Sequence, residues 1–273
     1  MAREWTEFVQ SQKLPWQSDA PAALGAGTAL KRLSEDADSG ALSALVRYPA
    51  GYRSDATALA ADEEFLVLDG ELVIGGRRFG PYSYAHWPAG FDAGSRASDR
   101  GAVVLAFYSA APSAAARAAY DPERLVEHCD TFEVPYTGNF HPEFPPGAGR
   151  KVLFTDPETA ETSWLLGTLP MRWAERSEVH PYVEEMYLLS GESHGDRGVM
   201  RPGAYFWRPG GIPHGPYGTL TGNLYFFRTR GGGLETDYVE PRRPFHWWPA
   251  YEPELPVSLG DYGGEVDRLA RCW

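Results

Sequence analysis

The sequence predicts an all-β fold of two tandem barrels, and three observations carry that prediction. The chain falls into short alternating or apolar runs bounded by Gly, Pro and Asp. With 23 Pro and 30 Gly in 273 residues, it has little room for long helices. A single offset of 121 residues relates its two halves, turns and strands alike.

Taken in order, residues 1–40 hold Trp5, Trp16 and an Ala/Gly stretch without clear period. They are expected to form an N-terminal arm packed on the first barrel. That barrel is expected over 41–112: Leu42, Leu45 and Tyr48 mark one strand, 65–68 a second, 71–74 a third before the Gly75-Gly76 turn, and 101–108 a fourth. Residues 113–150 read as a linker. Its Ala-rich 113–119 and the following 122–128 predict two short helices, and 131–150, with four Pro and three Gly, an extended loop. A second barrel is expected over 151–230. Gly231-Gly232-Gly233 then opens a tail, 231–273, rich in Pro and aromatics, which should pack on the barrels or on a neighbouring subunit.

The offset is specific. It carries Pro49 to Pro170, Glu63-Glu64 to Glu184-Glu185, Gly70-Glu71 to Gly191-Glu192, Pro88 to Pro209, Gly90 to Gly211, and the apolar Val103-Val104-Leu105 to Leu224-Tyr225-Phe226. Composition then bounds the partners. A net charge of −12 disfavours nucleic acid and anionic membrane surfaces. No apolar run approaches the roughly 20 residues that span a bilayer. The N-terminus lacks a basic start followed by an apolar run, and Cys129 and Cys272 are too few for a disulfide framework, so the cytoplasm is the expected location.

The chemistry concentrates between Glu178 and His214. On a strand Glu178 and His180 point to one face, and Glu184 shares their parity if the intervening turn preserves it. His214 follows on a segment that Pro209, Gly210, Gly211 and Pro213 force to turn sharply. Two carboxylates and two imidazoles would converge, which suits a divalent transition metal. This stretch resembles the two motifs of the cupins. The first reads Gly, five residues, His-x-His, three or four residues, Glu, six residues, Gly; here His180, Glu184 and Gly191 fit, while Arg172 replaces the leading Gly and Glu178 the first His. The second reads Gly, five residues, Pro-x-Gly, two residues, His, three residues, Asn; Gly203, Pro209, Gly211 and His214 fit at every interval, and Gly218 replaces the Asn. Joined to the repeat, the resemblance implies a bicupin, two jelly-roll (double-stranded β-helix) barrels. The ligand positions Glu178, His180 and His214 correspond to Thr57, Leu59 and Ala93, so the first barrel is expected to be degenerate and without metal.

Four titratable groups inside a barrel would be costly to bury unpaired, and a divalent cation relieves that cost. The expected metal set is Glu178, His180, Glu184 and His214. Fe(II) is preferred, with Mn(II) or Zn(II) also suited, and copper less so. Glu178 is open to two roles: fourth ligand, or catalytic general base beside a triad of His180, Glu184 and His214. Arg172, Met186, Tyr205, Arg208 and Arg228 are the candidates for substrate contact. Trp173 and Trp207 lie on the same strands, and His141, His194 and His246 read as surface residues and His128 as a helix end. The resemblance implies a metal-dependent enzyme acting on a small organic substrate, foremost a non-haem Fe(II) dioxygenase. Its alternatives are a redox-neutral decarboxylase, isomerase or lyase, and a metal- or ligand-binding sensor like the cupin domain of zinc-dependent anti-sigma factors. That last reading is disfavoured by the absence of Cys and His from residues 1–40. A homodimer is the expected assembly.

Overall fold

The computed structural model describes residues 3–138, 144, 146–268 and 270–273. The chain divides into two compact units, one of residues 1–4 and 14–133, the other of 5–13 and 134–273. Each contains a six-stranded antiparallel sheet and a smaller four-stranded one, the two layers of a cupin jelly roll.

In the first unit the large sheet runs Val126–Asp130, Ser83–Trp87, Glu63–Gly70, Ala102–Tyr108, Leu42–Tyr48, Ala29–Glu35. In the second it runs Thr6–Gln10, Ala204–Arg208, Val183–Gly191, Asn223–Arg230, Thr162–Thr168, Ala148–Thr155. Five of the six places match at the offset of 121 to within two residues. The sixth does not: the first unit fills it with a strand late in its own sequence, the second with the N-terminal strand Thr6–Gln10. The small sheets also correspond place by place, Tyr52–Ser54, Arg96–Ser98, Leu72–Ile74, Arg77–Phe79 against Arg172–Trp173, Gly218–Thr219, Ser193–Gly195, Gly198–Met200. Apolar side chains of alternate residues fill each interior, with Phe65, Val67, Phe79 and Trp87 in the first and Met186, Leu188, Phe206 and Phe227 in the second.

Two expectations change. The arm over 1–40 is divided, since Thr6–Gln10 joins the second unit's sheet and Ala29–Glu35 pairs with Leu42–Tyr48 in the first. The helices expected over 113–119 and 122–128 are absent. Ala114–Ala115 bridges Ala58–Leu59, Pro122–Arg124 is a single 3₁₀ turn, and Val126–Asp130 is a strand carrying His128 against the Phe79 ring. Helix propensity is a weak bias, and an open sheet edge outweighs it. No helix among the described residues is long and apolar enough to cross a membrane.

The repeat includes its turn chemistry. Gly70 and Gly191 both have positive φ, +74° and +78°. A Cβ there would lie 2.1 Å from the Gly101 carbonyl oxygen in one unit and 2.0 Å from that of Gly222 in the other. Gly70→Ala and Gly191→Ala are therefore each expected to destabilise their own unit by more than about 2 kcal/mol, from left-handed backbone plus steric clash. Urea unfolding of the two variants measures it.

Candidate metal centre

The second unit brings the motif residues together through its backbone. Glu178 and His214 form an isolated antiparallel bridge, Glu178 N donating to His214 O at 2.9 Å and His214 N to Glu178 O at 3.0 Å. Directly opposed residues of this kind hold their side chains side by side. Gly211 N donates to His180 O at 2.7 Å, which docks the Pro- and Gly-rich turn beside the third residue. Each imidazole is then aimed. His180 Nδ1 donates to the Glu235 carbonyl at 2.7 Å and His214 Nδ1 to that of Ile212 at 2.9 Å. Both Nε2 atoms are left to face the centre, the arrangement by which backbone carbonyls orient ligating histidines. Glu235 belongs to the C-terminal tail, so the tail contributes to the site.

Glu178, His180 and His214 each offer a ligand atom within 4.8 Å of the other two. The buried His180 Nε2 has no hydrogen-bond partner and lies 3.8 Å from Glu178 Oε2 and 3.5 Å from Glu184 Oε1. An imidazole nitrogen left bare in the interior, facing two carboxylates, fits a cation between them. Burial, then the charges of Arg208 and His180, hold His214 well below the usual imidazole range, so it is neutral and its lone pair is available. Burial pushes the Glu178 carboxyl up to about 7, and proximity to Glu184 adds to the effect.

Glu184 stands apart from that trio. It lies 3.7 Å from His214 Nε2 through Oε2, and the same oxygen accepts from Arg208 Nη1 at 2.7 Å. Cross-strand register sets this contact, since Glu184 and Arg208 are directly opposed. Arg208 is itself 1% exposed. Its Nε donates to Glu7 Oε2 at 2.7 Å, its Nη2 to Glu7 Oε1, and Nη2 also to the Tyr217 hydroxyl at 3.0 Å.

A cavity of about 80 Å³ opens beside this centre, with Arg172, Glu178, Glu184, Met186 and His214 on its wall. Of the five residues expected to meet substrate, Arg172 and Met186 line it. Arg208 is not on the wall and is committed to Glu7, Glu184 and Tyr217. Tyr205 and Arg228 occupy the opposite face of the sheet, where they hold Glu185, Tyr205 donating to Oε1 at 2.6 Å and Arg228 Nη1 to Oε2 at 3.0 Å. The pleat explains this correction: Glu185 and Arg228 are paired one step out of phase with Glu184. The first unit repeats the tyrosine contact, with Tyr84 donating to Glu64 at 2.7 Å, which marks it as architectural.

His194 also differs from expectation. It is fully buried, its Nδ1 donates to the Trp247 carbonyl at 2.5 Å, and its Nε2 lies 3.6 Å from Glu192. His246 is exposed, as expected, and His141 lies outside the described residues. Sequence reasoning missed Glu7, Tyr217, Tyr225 and the Glu235 carbonyl. The offset could have flagged one of them, because it pairs Tyr217 with Arg96 and Arg208 with Trp87.

In the first unit, Leu59 is packed in the apolar core and Glu63 is clamped by Arg96, whose Nη1 donates to Oε1 at 2.8 Å and whose Nη2 donates to Oε2.

Two outcomes follow from these contacts. Glu7→Ala leaves Arg208 buried with one carboxylate lost, and is expected to cost about 3–5 kcal/mol of stability to urea. Glu178 has a raised folded pKa, so its stabilising contribution is full below the ordinary carboxylate value of 4.5 and is lost as pH rises through about 7. In metal-free protein Glu178→Gln should flatten the pH dependence of stability over that window and gain up to roughly 3 kcal/mol at pH 8. Carbon-13 NMR of the labelled carboxyl should show its midpoint near 7 directly.

Comparisons with known proteins agree with this architecture. A family model described as a domain of unknown function, DUF4437, matches residues 7–233. No curated protein matches the chain. Among solved structures, a Nostoc punctiforme protein described as a "putative dioxygenase" superposes with a TM-score of 0.78 at 20% identity, over 88% of this chain and 92% of its own. A mutant of Bacillus subtilis oxalate decarboxylase gives 0.59 at 11%, over 85% and 79%. Salicylate 1,2-dioxygenase of Pseudaminobacter salicylatoxidans gives 0.52 at 9%, over 69% and 70%. At such identities the likeness is one of fold. Motifs, repeat and superpositions together make the chain a bicupin, and it belongs to the DUF4437 family.

Proposed function

We propose that the second barrel is a metal-dependent enzyme centre acting on a small organic molecule, with Glu178, His180 and His214 as the ligands of one divalent ion. The observation that carries this is the bare, buried His180 Nε2 facing two carboxylates, with its ring fixed through Nδ1. Two imidazoles and a carboxylate form the donor set of non-haem iron sites, and they also accept Mn(II) or Zn(II). When bound, such an ion supplies a Lewis acid for substrate oxygens, and Fe(II) adds one-electron chemistry with dioxygen.

The chain's own residues supply the rest. Met186, Phe206 and Phe227 make a dry wall that keeps bulk water from the centre. Tyr217, whose phenol burial holds well above its usual range, stays protonated and donates to Glu7 Oε1 at 3.4 Å, with the charge of Glu184 nearby. Glu184, anchored by Arg208, is a fixed acceptor within 3.5 Å of His180. It is the candidate fourth ligand or proton acceptor, the role Glu178 takes if Glu184 binds the metal instead. The fold neighbours named as dioxygenases make an Fe(II) oxygenase the foremost activity, and the oxalate decarboxylase supports redox-neutral chemistry as the alternative.

Elemental analysis of protein purified without added metal tests the centre. About one equivalent of a divalent metal per chain is expected. His180→Ala and His214→Ala should each abolish it, while Glu184→Gln should lower affinity less than either. Iron in the parent directs assays to substrate-dependent oxygen uptake, and zinc or manganese to redox-neutral turnover. Parent protein that stays metal-free after anaerobic incubation with Fe(II), Mn(II) and Zn(II) would overturn the proposal.

A further inference from the structure

Glu178 and His180 stand on a segment that neither layer of the second barrel holds. Ser177–Val179 lies in a two-stranded sheet, and its partner there is Asp237–Val239 of the C-terminal tail. Glu178 spends its own N–H and C=O on His214. Neighbouring residues of an antiparallel ladder turn their amides to opposite sides, so the bonds to the tail fall to Ser177 and Val179, opposite Val239 and Asp237. The ligand strand is clamped between His214 and the tail. The same stretch of tail also reaches the His180 ring, whose Nδ1 donates to the Glu235 carbonyl at 2.7 Å and has the Thr236 hydroxyl at 3.3 Å. One short run, 235–239, therefore pairs with the backbone on either side of Glu178 and fixes the tautomer of His180.

The path of this run belongs to the repeat. In the first unit Ala114–Ala115 pairs with Ala58–Leu59, and the offset of 121 carries those residues to 235–236 and 179–180. After the strand Ala102–Tyr108 in one unit and Asn223–Arg230 in the other, the chain returns across the same motif position. The covered side chain is the apolar Leu59 in the first unit and a proposed ligand, His180, in the second. Two paired strands alone are marginal in water. The outer one here has Asp237 exposed and Tyr238 and Val239 half-buried. Arg176 Nη2 adds a bond to Tyr238 O. Each of these bonds joins the run to residues 176–180, so run and ligands are ordered together.

We infer that residues 235–239 are a strap coupled to the metal: the ion binds tightly only with the strap seated, and a bound ion in turn seats the strap. Coupling of this kind is reciprocal. Loss of the groups that orient a ligating histidine costs about ten- to a hundredfold in metal affinity, which sets the expected size. The inference rests on the metal-centre reading and makes the strap that centre's positioning element.

Hydrogen exchange of the intact chain, metal-free and loaded with Zn(II), measures the coupling, with metal content determined on the same samples. Bound Zn(II) is expected to slow exchange at the Asp237 and Val239 amides about ten- to a hundredfold and to leave Ala102–Tyr108 of the first unit unchanged. Asp237→Pro approaches from the other side, because it removes the amide opposite Val179. It should weaken Zn(II) binding about ten- to a hundredfold and leave the His180 ring as a mixture of tautomers, read from its nitrogen-15 shifts. Asp237→Ala keeps the amide and should bind Zn(II) as the parent does. Bound Zn(II) with exchange at Asp237 and Val239 unchanged overturns the inference while leaving the metal centre standing. So does a folded Asp237→Pro protein that binds Zn(II) as tightly as the parent, or an Asp237→Ala protein weakened as much as Asp237→Pro. The exchange measurement on the parent decides the matter if Asp237→Pro fails to fold. A parent that takes up no metal overturns the centre, and this inference with it.

Discussion

Much of the second barrel turns on one buried cation. Arg208 sits in the interior with its guanidinium shared between Glu7 and Glu184. Removing each of these charges from water costs several kcal/mol, so none is tolerable without the others. Their mutual need has a topological consequence: Glu7 arrives on the N-terminal strand, which is separated from the rest of the second unit in the chain by residues 14–133 of the first. Pairing of Thr6–Gln10 along Ala204–Arg208 satisfies the outer edge of that strand and delivers the carboxylate in one step. It also bears on chemistry. Glu184 gives one oxygen to Arg208, which would reduce the electron density it could offer a metal and favours Glu178, His180 and His214 as the ligands in the proposed centre.

The first unit meets the same difficulty with different residues. Its motif acid, Glu63, is as deeply buried as Glu184, yet Trp87 occupies the position of Arg208. The neutralising charge comes from Arg96, at the position of Tyr217. Cation and aromatic have thus exchanged places between the repeats. A carboxylate at the motif position is kept, with a counter-charge, in a barrel where Thr57, Leu59 and Ala93 stand at the other ligand positions. Glu63 there belongs to a buried ion pair, and the presence of a motif glutamate does not by itself mark a metal site.

How far the sequence could be read follows from the range of each interaction. Strands, turns and the repeat were legible because they are local or recur at one spacing, and glycines such as Gly70 and Gly191 mark conformations that few other residues adopt. The meeting of Glu178, His180 and His214, with Glu184 at its edge, was legible for the same reason, since all lie within one hairpin-like segment and its return. The N-terminal strand was not, because nothing in residues 6–10 specifies a partner some 200 positions away. Tyr205 and Arg228 were misplaced by parity: they adjoin the site in sequence, but alternate residues of a strand face opposite sides. The Ala-rich 113–119 was misread because intrinsic propensity is worth only tenths of a kcal/mol per residue, less than the bonds an open strand edge offers. His194 was misjudged for a related reason: only the folded tail, with Trp247 and Trp248 against the ring, makes its position interior.

Replacement of the first motif histidine by Glu178 fits these electrostatics. A third imidazole at that position would leave the centre with Glu184 as its single acid, already shared with Arg208. A carboxylate there restores a full negative charge, at the cost of a group that burial keeps half protonated near pH 7 while the centre is empty. The divalent ion proposed above would remove that cost by taking the place of the proton, which would couple cation binding to Glu178 ionisation. The backbone bridge to His214 fixes the point from which the side chain starts, directly opposite His214. Electrostatic strain of this kind is what the proposed cation would relieve.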